Sequence, residues 1–380
     1  MTPGGAGVQH HEADTAGSVG TARPAGPSPA NDAFEATAGQ VLAGYLNTRC
    51  GDFLRSLRLY GESGSDTAAA EEAASALRCS ARRIGGSLHT FRVLLDPVWA
   101  DQLRTELGWL SGTLAQEYAC TARLHRLVSA LGRLSGAGPA GAAAVPRSRG
   151  NGEGGTGGAG GTGDTGASAA PGALTVGASR AGALLERQLT LARTRAHSAA
   201  LQALGSSRFH AVADAVAVLA SEVPLAPVAG APAAEILAAP QSAAERRLLD
   251  AVSVLPLARA AHPYNAEALI HGLSTPSDGE AQDAPWHQVR LLLRLHMYAQ
   301  EVRDLGSAPE PVLAEAGRAL DRHRDAAEAA AAAANAARTP RIAPATAYAL
   351  GVLHADQRHE VEAARYEFQR IWQRRAATAP

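Results

Sequence analysis

Apolar side chains recur every three or four residues along most of the chain, the spacing that places them on one face of an α-helix. The pattern predicts helices over about 33–57 and 66–95, and two successive helices within 97–134. It resumes near residue 179 and continues, with interruptions, to about residue 375. No stretch shows the strict alternation of a half-buried strand. The sequence therefore predicts an all-α fold.

Particular residue types mark where the predicted helices begin and end. Asp96 followed by Pro97 is typical of a helix start, because aspartate caps the first N–H groups and proline suits the first turn. The break Gly205-Ser206-Ser207 and the proline-rich stretch 224–240 interrupt the later helical region. Ser242-Ala-Ala-Glu245 has the spacing of a capping box and predicts a new helix there. Further boundaries are predicted at Pro285, Pro309, Pro311 and Pro340.

Two regions lack the helical pattern. Residues 1–32 are mostly Gly, Ala, Pro, Ser and Thr, a composition that cannot bury a core, so they are predicted to be a disordered tail. Residues 135–178 have a similar composition and predict a flexible Gly/Ala-rich insert. The segment 33–376 is therefore predicted to be one helical domain with two halves, 33–134 and 179–376.

Composition limits the chemistry available to the chain. Aromatic residues make up only 4% of it, against 46% hydrophobic residues, which favours helices over sheets. All 35 cationic side chains are arginines, so a lysine nucleophile, a Schiff base and a P-loop lysine are excluded. The formal net charge of −1 gives no overall basic field for nucleic acid or an acidic membrane.

The three cysteines, Cys50, Cys79 and Cys120, are far apart and odd in number. A disulfide framework or a zinc site is therefore not expected. We recognise neither a signal peptide nor an apolar stretch long enough to span a membrane. These features favour a cytoplasmic protein without metal or cofactor.

An internal repeat is the sharpest signal in the sequence. Aligning Ser75 with His287 places Arg78 opposite Arg290 and Arg82 opposite Arg294. In the same register Gly86 is opposite Tyr298, and His89 opposite Glu301. On a helix these positions fall within roughly 80° of arc, so each copy presents a stripe of stacked arginines.

Arginines held on one helix face repel each other, so an anion is expected nearby. The anion is either a carboxylate of the chain itself or a ligand. A planar guanidinium suits phosphate because it donates two parallel hydrogen bonds. From periodicity alone, a solvated face with local carboxylate partners stays open as the simpler interpretation.

These motifs resemble the CHAD family, the conserved histidine α-helical domain. Residues 75–92 are similar to its first signature, and 286–301 to its second. The remaining similar segments, in the order that the family has them, are 94–96, 106–110, 192–209, 320–325 and 348–351, followed by Trp372.

The resemblance implies two antiparallel four-helix-bundle halves related by a pseudo-two-fold axis, with a basic cavity or groove between or along them. It also implies a non-enzymatic module that binds inorganic polyphosphate and associates with polyphosphate granules. Arginine forks would bind successive phosphates, and protonated histidines would add donors. Transferred to this sequence, the expected polyphosphate-binding residues are Arg78, Arg82, Arg83, Arg92, Arg208, His287, Arg290, Arg294, Tyr298 and His323.

The first half departs from the family pattern at three places. Ser75 stands where the signature has a histidine, and Gly85 where it has an arginine. Tyr118-Ala119 stands where the family tends to have Arg-Asp near the end of the third helix. These departures predict a degenerate first half, whereas the second signature is intact.

Three other functions stay open. A degenerate scaffold for protein interactions would pair Arg78, Arg82, Arg290 and Arg294 with the chain's own carboxylates. A metal-dependent phosphohydrolase could draw ligands from His354, Asp356, His359 and Glu360, but their spacing lacks the second histidine of HExxH. Nucleic acid is a possible polyanion, although the chain has few aromatic residues for base stacking.

Overall fold

The described part of the chain is almost entirely helical. Within it, the extended pairing consists of two isolated bridges, Thr37 with Pro232 and Leu95 with Leu225. The predicted all-α fold is confirmed. The predicted tail 1–32 and the part of the insert from 137 to 169 lie outside the described residues. The structure, a computed structural model, describes residues 36–64, 66–136, 170–264, 276–304 and 310–378, with only the backbone of 170–174, 276–280 and 378.

Long helices alternate with short connecting ones. A 3-10 turn, Arg92–Leu94, follows the second helix, and another, Pro227–Gly230, follows the fifth. The α-helices of the described residues are α1 (Ala38–Glu62), α2 (Thr67–Thr90), α3 (Pro97–Leu134), α4 (Ala170–Leu204), α5 (Ser207–Leu219), α6 (Ala233–Ile236), α7 (Ala238–Ser253), α8 (Leu257–Ala260), α9 (Pro276–Arg303), α10 (Pro311–Ala337) and α11 (Pro344–Thr378).

Side-chain caps fix several helix starts. The carboxylate of Asp96 accepts hydrogen bonds of 2.9 Å from the backbone N–H groups of Val98 and Trp99, so the predicted start of α3 is confirmed. Ser206 accepts from the backbone of Phe209 and caps α5, at the break predicted there. Each such cap contributes about 1 kcal/mol to stability.

Two predicted boundaries within helical regions are wrong. Residues 97–134 form one 38-residue helix, because the buried apolar positions keep a single helical register from Leu103 to Leu131. Ser242 and Glu245 lie inside α7, which begins after Leu237 without a side-chain cap. The capping-box spacing there is therefore incidental, because packing of the helix decides where it starts.

Two further boundaries differ from the sequence prediction. Pro285 lies inside α9 and does not end a helix. Proline has no backbone N–H, so the backbone carbonyl of Ala281 receives no helical hydrogen bond from residue 285. Both residues are exposed, so this carbonyl lies on the solvent-facing side of α9. After the insert, helical structure resumes at Ala170, earlier than the predicted residue 179.

Three main apolar clusters form the core. The first joins α1, α2, the first half of α3 and α5 around Phe53. Another joins α7, α9, α10 and α11 around Trp286 and Phe368. Between them, the second half of α3 packs with α4, α10 and α11 through residues such as Leu127 and Leu350.

The packed clusters do not follow the division of the chain at the insert. Helix α4 packs along α3, and α5 packs on α1, although both follow the insert in sequence. Helices from both sides of 135–178 therefore share one core. The exact two-fold relation of the halves stays a prediction.

Helices α2 and α9 cross closely at a glycine. A Cβ atom built on Gly86 would lie 2.5 Å from Cδ2 of Tyr298 and 3.3 Å from Cδ2 of Leu295. The neighbouring Gly85 is open, since the nearest atom to its Cβ position is Cβ of Leu107 at 4.0 Å. The absence of a side chain at Gly86 therefore sets the distance between the two arginine-bearing helices.

The two glycines give a matched pair of variants. We expect Gly86→Ala to lower the free energy of unfolding by about 1–3 kcal/mol, because the added methyl overpacks the crossing. Gly85→Ala should raise it by up to about 1 kcal/mol, because alanine is the better helix former. Urea unfolding of both variants measures the difference. Equal stability of the two variants would contradict the close crossing.

Candidate functional site: an arginine-lined cleft

The two arginine stripes of the repeat face one cleft between α2, α3, α9 and α10. The cleft has a volume of about 510 Å³ and is lined by seven arginines against three carboxylates. The positive excess exists only locally, since the whole chain has a net charge of −1. The charged residues of its wall are Arg78, Arg82, Arg123, Arg126, Arg290, Arg294, Arg324, Asp321, Asp325 and Glu328.

The α2 stripe contributes two arginines without a carboxylate partner. Among the described residues, neither Arg78 nor Arg82 forms an ion pair, and the buried Nε atom of each has no hydrogen-bond acceptor. The guanidinium of Arg78 instead lies 5.0 Å above the ring of Tyr118. Burial, and then the neighbouring charge of Arg82, lower the pKa of Arg78. Both arginines line the cleft, and neither guanidinium donates a hydrogen bond to another of the described residues.

The α9 stripe is partly neutralised by one aspartate. Asp321 Oδ1 accepts from Arg290 Nε at 2.5 Å and from Arg294 Nη2 at 2.8 Å. Burial and the charge of Arg294 lower the pKa of Arg290. The sequence predicted a degenerate first stripe and an intact second one, whereas in the cleft the first stripe is the unpaired one.

Three arginines of the cleft were missed by the sequence analysis. Arg123 and Arg126 come from α3, and Arg324 from α10. Their partners are Glu328 at 2.7 Å, Glu360 at 3.6 Å and Asp325 at 2.5 Å, respectively. The i, i+3 spacing of Arg123 and Arg126 places both on one helix face, which was a usable signal. The prediction of two separate helices within 97–134 did not show that this face continues along one long helix.

Two of the expected binding residues, Arg83 and Tyr298, lie outside this cleft. Arg83 Nε pairs with Glu301 at 3.0 Å, and its Nη1 lies 2.6 Å from Sγ of Cys79. Tyr45 donates a hydrogen bond to the same glutamate. Burial opposes the charge of Arg83, but Cys79 and Glu301 outweigh it and raise the pKa of the guanidinium. The group stabilises the contact of α2 with α1 and α9.

Arg92 and Arg208 also lie away from the cleft. Arg92 binds Asp101 with two hydrogen bonds, of 2.9 and 2.8 Å. Arg208 donates to both carboxylate oxygens of Glu106, at 2.6 and 3.2 Å, and lies 4.1 Å above the ring of Trp109. Their guanidinium groups are already occupied by carboxylates of the chain.

Of the two expected histidines, His323 is buried next to Trp286, and His287 lies half-buried beside His323. His323 is 1% exposed, stacks on Trp286 and lies 3.5 Å from Asp283. Arg358 and Arg365 also bind that aspartate, at 2.7 and 2.6 Å. Burial lowers the pKa of His323 to about 4, and the charge of Arg365 acts in the same direction, whereas the hydrogen bond with Asp283 opposes the shift.

His287 has an edge-to-face contact with His323, with ring centres 5.4 Å apart. Burial lowers the pKa of His287 as well, and the charge of Arg290 acts in the same direction. Neither histidine lines the arginine cleft. Extra phosphate donors from protonated histidine therefore have no structural basis at this cleft.

The candidate metal ligands near the C-terminus do not come together. His354 contacts the backbone oxygen of Ala330, and His359 packs against Tyr264. Within the ranges described, no three His, Cys, Asp or Glu side chains form a group able to hold a metal ion. In the same ranges, no helix has the length and apolar character needed to cross a membrane.

The geometry of the cleft favours binding of an anion with several charges. Guanidinium groups from four helices face a common space, and two of them have no competing carboxylate. A phosphate oxygen would supply the acceptors that Arg78 and Arg82 lack. The stripes on α2 and α9 share one basic cleft. The resemblance implied a basic cavity or groove, and its division into two related halves stays a prediction.

Comparison with known proteins identifies the family. The CHAD domain model matches residues 52–334, more than half of the chain. The chain therefore belongs to the CHAD family, which confirms the resemblance. The matched range is narrower than the domain 33–376 predicted from the sequence.

One solved structure is a close relative. The chain is similar to PptA from Streptomyces chartreusis, with 56% identity and a TM-score of 0.70. The comparison covers 89% of this chain and 100% of PptA. No curated protein matches the chain.

The buried histidine predicts a pH dependence of stability. The unfolded chain binds a proton at His323 near pH 6.5, whereas the folded chain binds it only near pH 4. The free energy of unfolding should therefore fall by up to about 3 kcal/mol as the pH falls through that interval. His323→Gln, which cannot take up the proton, should lose this part of the pH dependence. Urea unfolding between pH 7 and 4 measures it, and identical pH profiles of the two proteins would contradict the assignment.

Proposed function

We propose that the chain is a non-enzymatic module that binds inorganic polyphosphate in the arginine cleft. Membership of the CHAD family supports the ligand class, because polyphosphate binding is what the family resemblance implies. The unpaired guanidinium groups of Arg78 and Arg82 support the location. The second observation carries the proposal, since it concerns this chain's own residues.

Two buried arginines without carboxylate partners destabilise the fold when no ligand is bound in the cleft. Arg78 is only 8% exposed, so its guanidinium has lost much of its contact with water. Leaving buried donors without acceptors costs about 1–3 kcal/mol per group, and more for a charged one. A bound phosphate removes that cost and forms charge-assisted hydrogen bonds, which are about twice as strong as neutral ones.

The cleft suits a chain of phosphates better than a single one. Its arginines outnumber its carboxylates by four and are spread over four helices. A polymer with one charge per phosphate can contact several of them at once, and each contact releases condensed counterions. Affinity should therefore fall steeply with added salt.

In the cell, the same binding would bring the protein to polyphosphate granules in the cytoplasm. The chain would then act by attachment rather than by catalysis. Single-stranded DNA is a competing polyanion, but among the described residues that line the cleft Tyr118 has the one aromatic ring on which a base could stack.

The alternative function is an interaction scaffold that has lost anion binding. Asp321 favours it, because this carboxylate occupies both Arg290 and Arg294. In that case carboxylates of the chain would neutralise the remaining arginines of the cleft, and polyphosphate would not bind even at low salt.

Removing the unpaired arginines tests the proposal. We expect Arg78→Ala/Arg82→Ala to weaken binding of long-chain polyphosphate at least tenfold, because two phosphate contacts are lost. The slope of log affinity against log salt should fall by about 1 to 2. Titrations at several salt concentrations, with single-stranded DNA as competitor, measure both quantities.

Arg92→Ala/Arg208→Ala is the matched control. It also removes two positive charges, but the two arginines are already bound to Asp101 and Glu106. Its affinity for polyphosphate should stay within about twofold of the parent's, because salt screens charges that are distant from the cleft. Equal losses in the two double variants would show that the cleft is not the site. No binding by the parent chain at low salt would favour the scaffold.

Asp321→Asn should have the opposite effect. Removing a negative charge close to Arg290 and Arg294 frees both guanidinium groups for phosphate. We expect polyphosphate to bind roughly fivefold more tightly, because the repulsion between this carboxylate and the phosphates, which the substitution removes, amounts to about 1 kcal/mol after screening. The same titration measures it, with Asp325→Asn as a second cleft carboxylate for comparison. Weaker binding in Asp321→Asn would contradict the competition between this aspartate and the ligand.

A further inference from the structure

A second pocket adjoins the arginine cleft and shares part of its wall. It has a volume of about 430 Å³ and lies between the end of α1 and the helices α2, α3 and α4. Arg78 and Tyr118 line both the pocket and the cleft. The cleft and the pocket therefore meet at the contact between Arg78 and Tyr118.

The charge of the pocket differs from that of the cleft. Glu71 and Glu117 balance Arg78 and Arg193 in its wall, and Glu117 lies 3.0 Å from Nδ1 of His197. The cleft, in contrast, has seven arginines and three carboxylates. Because the charges of the pocket wall balance, the pocket does not attract further phosphate groups as the cleft does.

The surface of the pocket suits a flat, uncharged group. The rings of Tyr60 and Tyr118 form part of the wall, together with Ala74 and the buried Leu114. Tyr118 is 56% exposed although it is a large aromatic side chain. Burial, and then the charge of Glu117, raise the pKa of Tyr60, so its phenol stays a neutral hydrogen-bond donor.

We propose that the cleft and the pocket together bind a nucleoside polyphosphate, with the phosphates among the arginines and the base against Tyr60 and Tyr118. The proposal rests on the proposed function, because it uses the same arginines for the phosphates. It adds a ligand class that inorganic polyphosphate does not include.

The shared wall gives the two ends of such a ligand different environments. Arg78 is bound to the face of Tyr118 by a cation–π contact, and it lies where the phosphates end and the base begins. Stacking on an aromatic side chain is favourable for any base. A glutamate accepts two hydrogen bonds from the ring N–H and the amino group of guanine, so Glu117 favours guanine when it exchanges its contact with Nδ1 of His197 for the base.

The test compares GTP with inorganic tripolyphosphate, which has the same number of phosphates but no base. Both are titrated into the full chain at one low salt concentration. We expect GTP to bind about tenfold more tightly, as stacking of one base provides. Ala74→Leu, which fills the pocket, and Glu117→Gln, which removes the carboxylate, should each abolish most of that advantage. Both variants should leave the affinity for tripolyphosphate within about twofold of the parent, since neither residue lines the cleft.

Ala76→Leu is the control, because Ala76 is exposed on α2 and lines neither space. It should keep the full advantage of GTP. If GTP binds no more tightly than tripolyphosphate, or if both pocket variants keep the advantage, the proposal is overturned while polyphosphate binding stands. If neither ligand binds, the arginine cleft is not a phosphate site and the proposed function fails with it.

Discussion

Two arginines that face a cleft without a carboxylate partner are the constraint on which this account depends. Arg78 and Arg82 lie a turn apart on α2, with their Nε atoms buried and without acceptors. A guanidinium removed from water in this way is expensive unless an anion completes its hydrogen bonds. The close crossing at Gly86 then brings the second stripe, on α9, to the same cleft. The fold thus concentrates positive charge in one cleft of a chain whose net charge is −1.

The two stripes are not equivalent. Asp321 occupies Arg290 and Arg294, whereas the chain supplies no acid to the α2 pair within the described residues. The stripe that had lost its signature histidine is therefore the one with free donors. Tyr118, which stands where the family tends to have arginine, supports Arg78 through its ring. The departures from the family pattern change which arginines are available and do not remove the basic cleft.

From the sequence one could predict the all-α fold, the start of α3 at Asp96 and the arginine stripes, because each depends on local spacing. It also indicated the family, which the match over 52–334 confirms. It could not show that the stripes converge, or that α3 brings Arg123 and Arg126 beside them, since both depend on tertiary packing. Histidines were equally ambiguous: His323 has the family spacing but serves a buried ion-pair network around Asp283. Motif spacing does not distinguish an open donor from a satisfied one.

The most direct test is a crystal structure of the full chain grown at low salt with a short inorganic polyphosphate. The account predicts phosphate oxygens within hydrogen-bond distance of the guanidinium groups of both Arg78 and Arg82, with Arg290 or Arg294 turned from Asp321 toward the ligand. Phosphate bound elsewhere on the surface, with the α2 arginines still without acceptors, would contradict it.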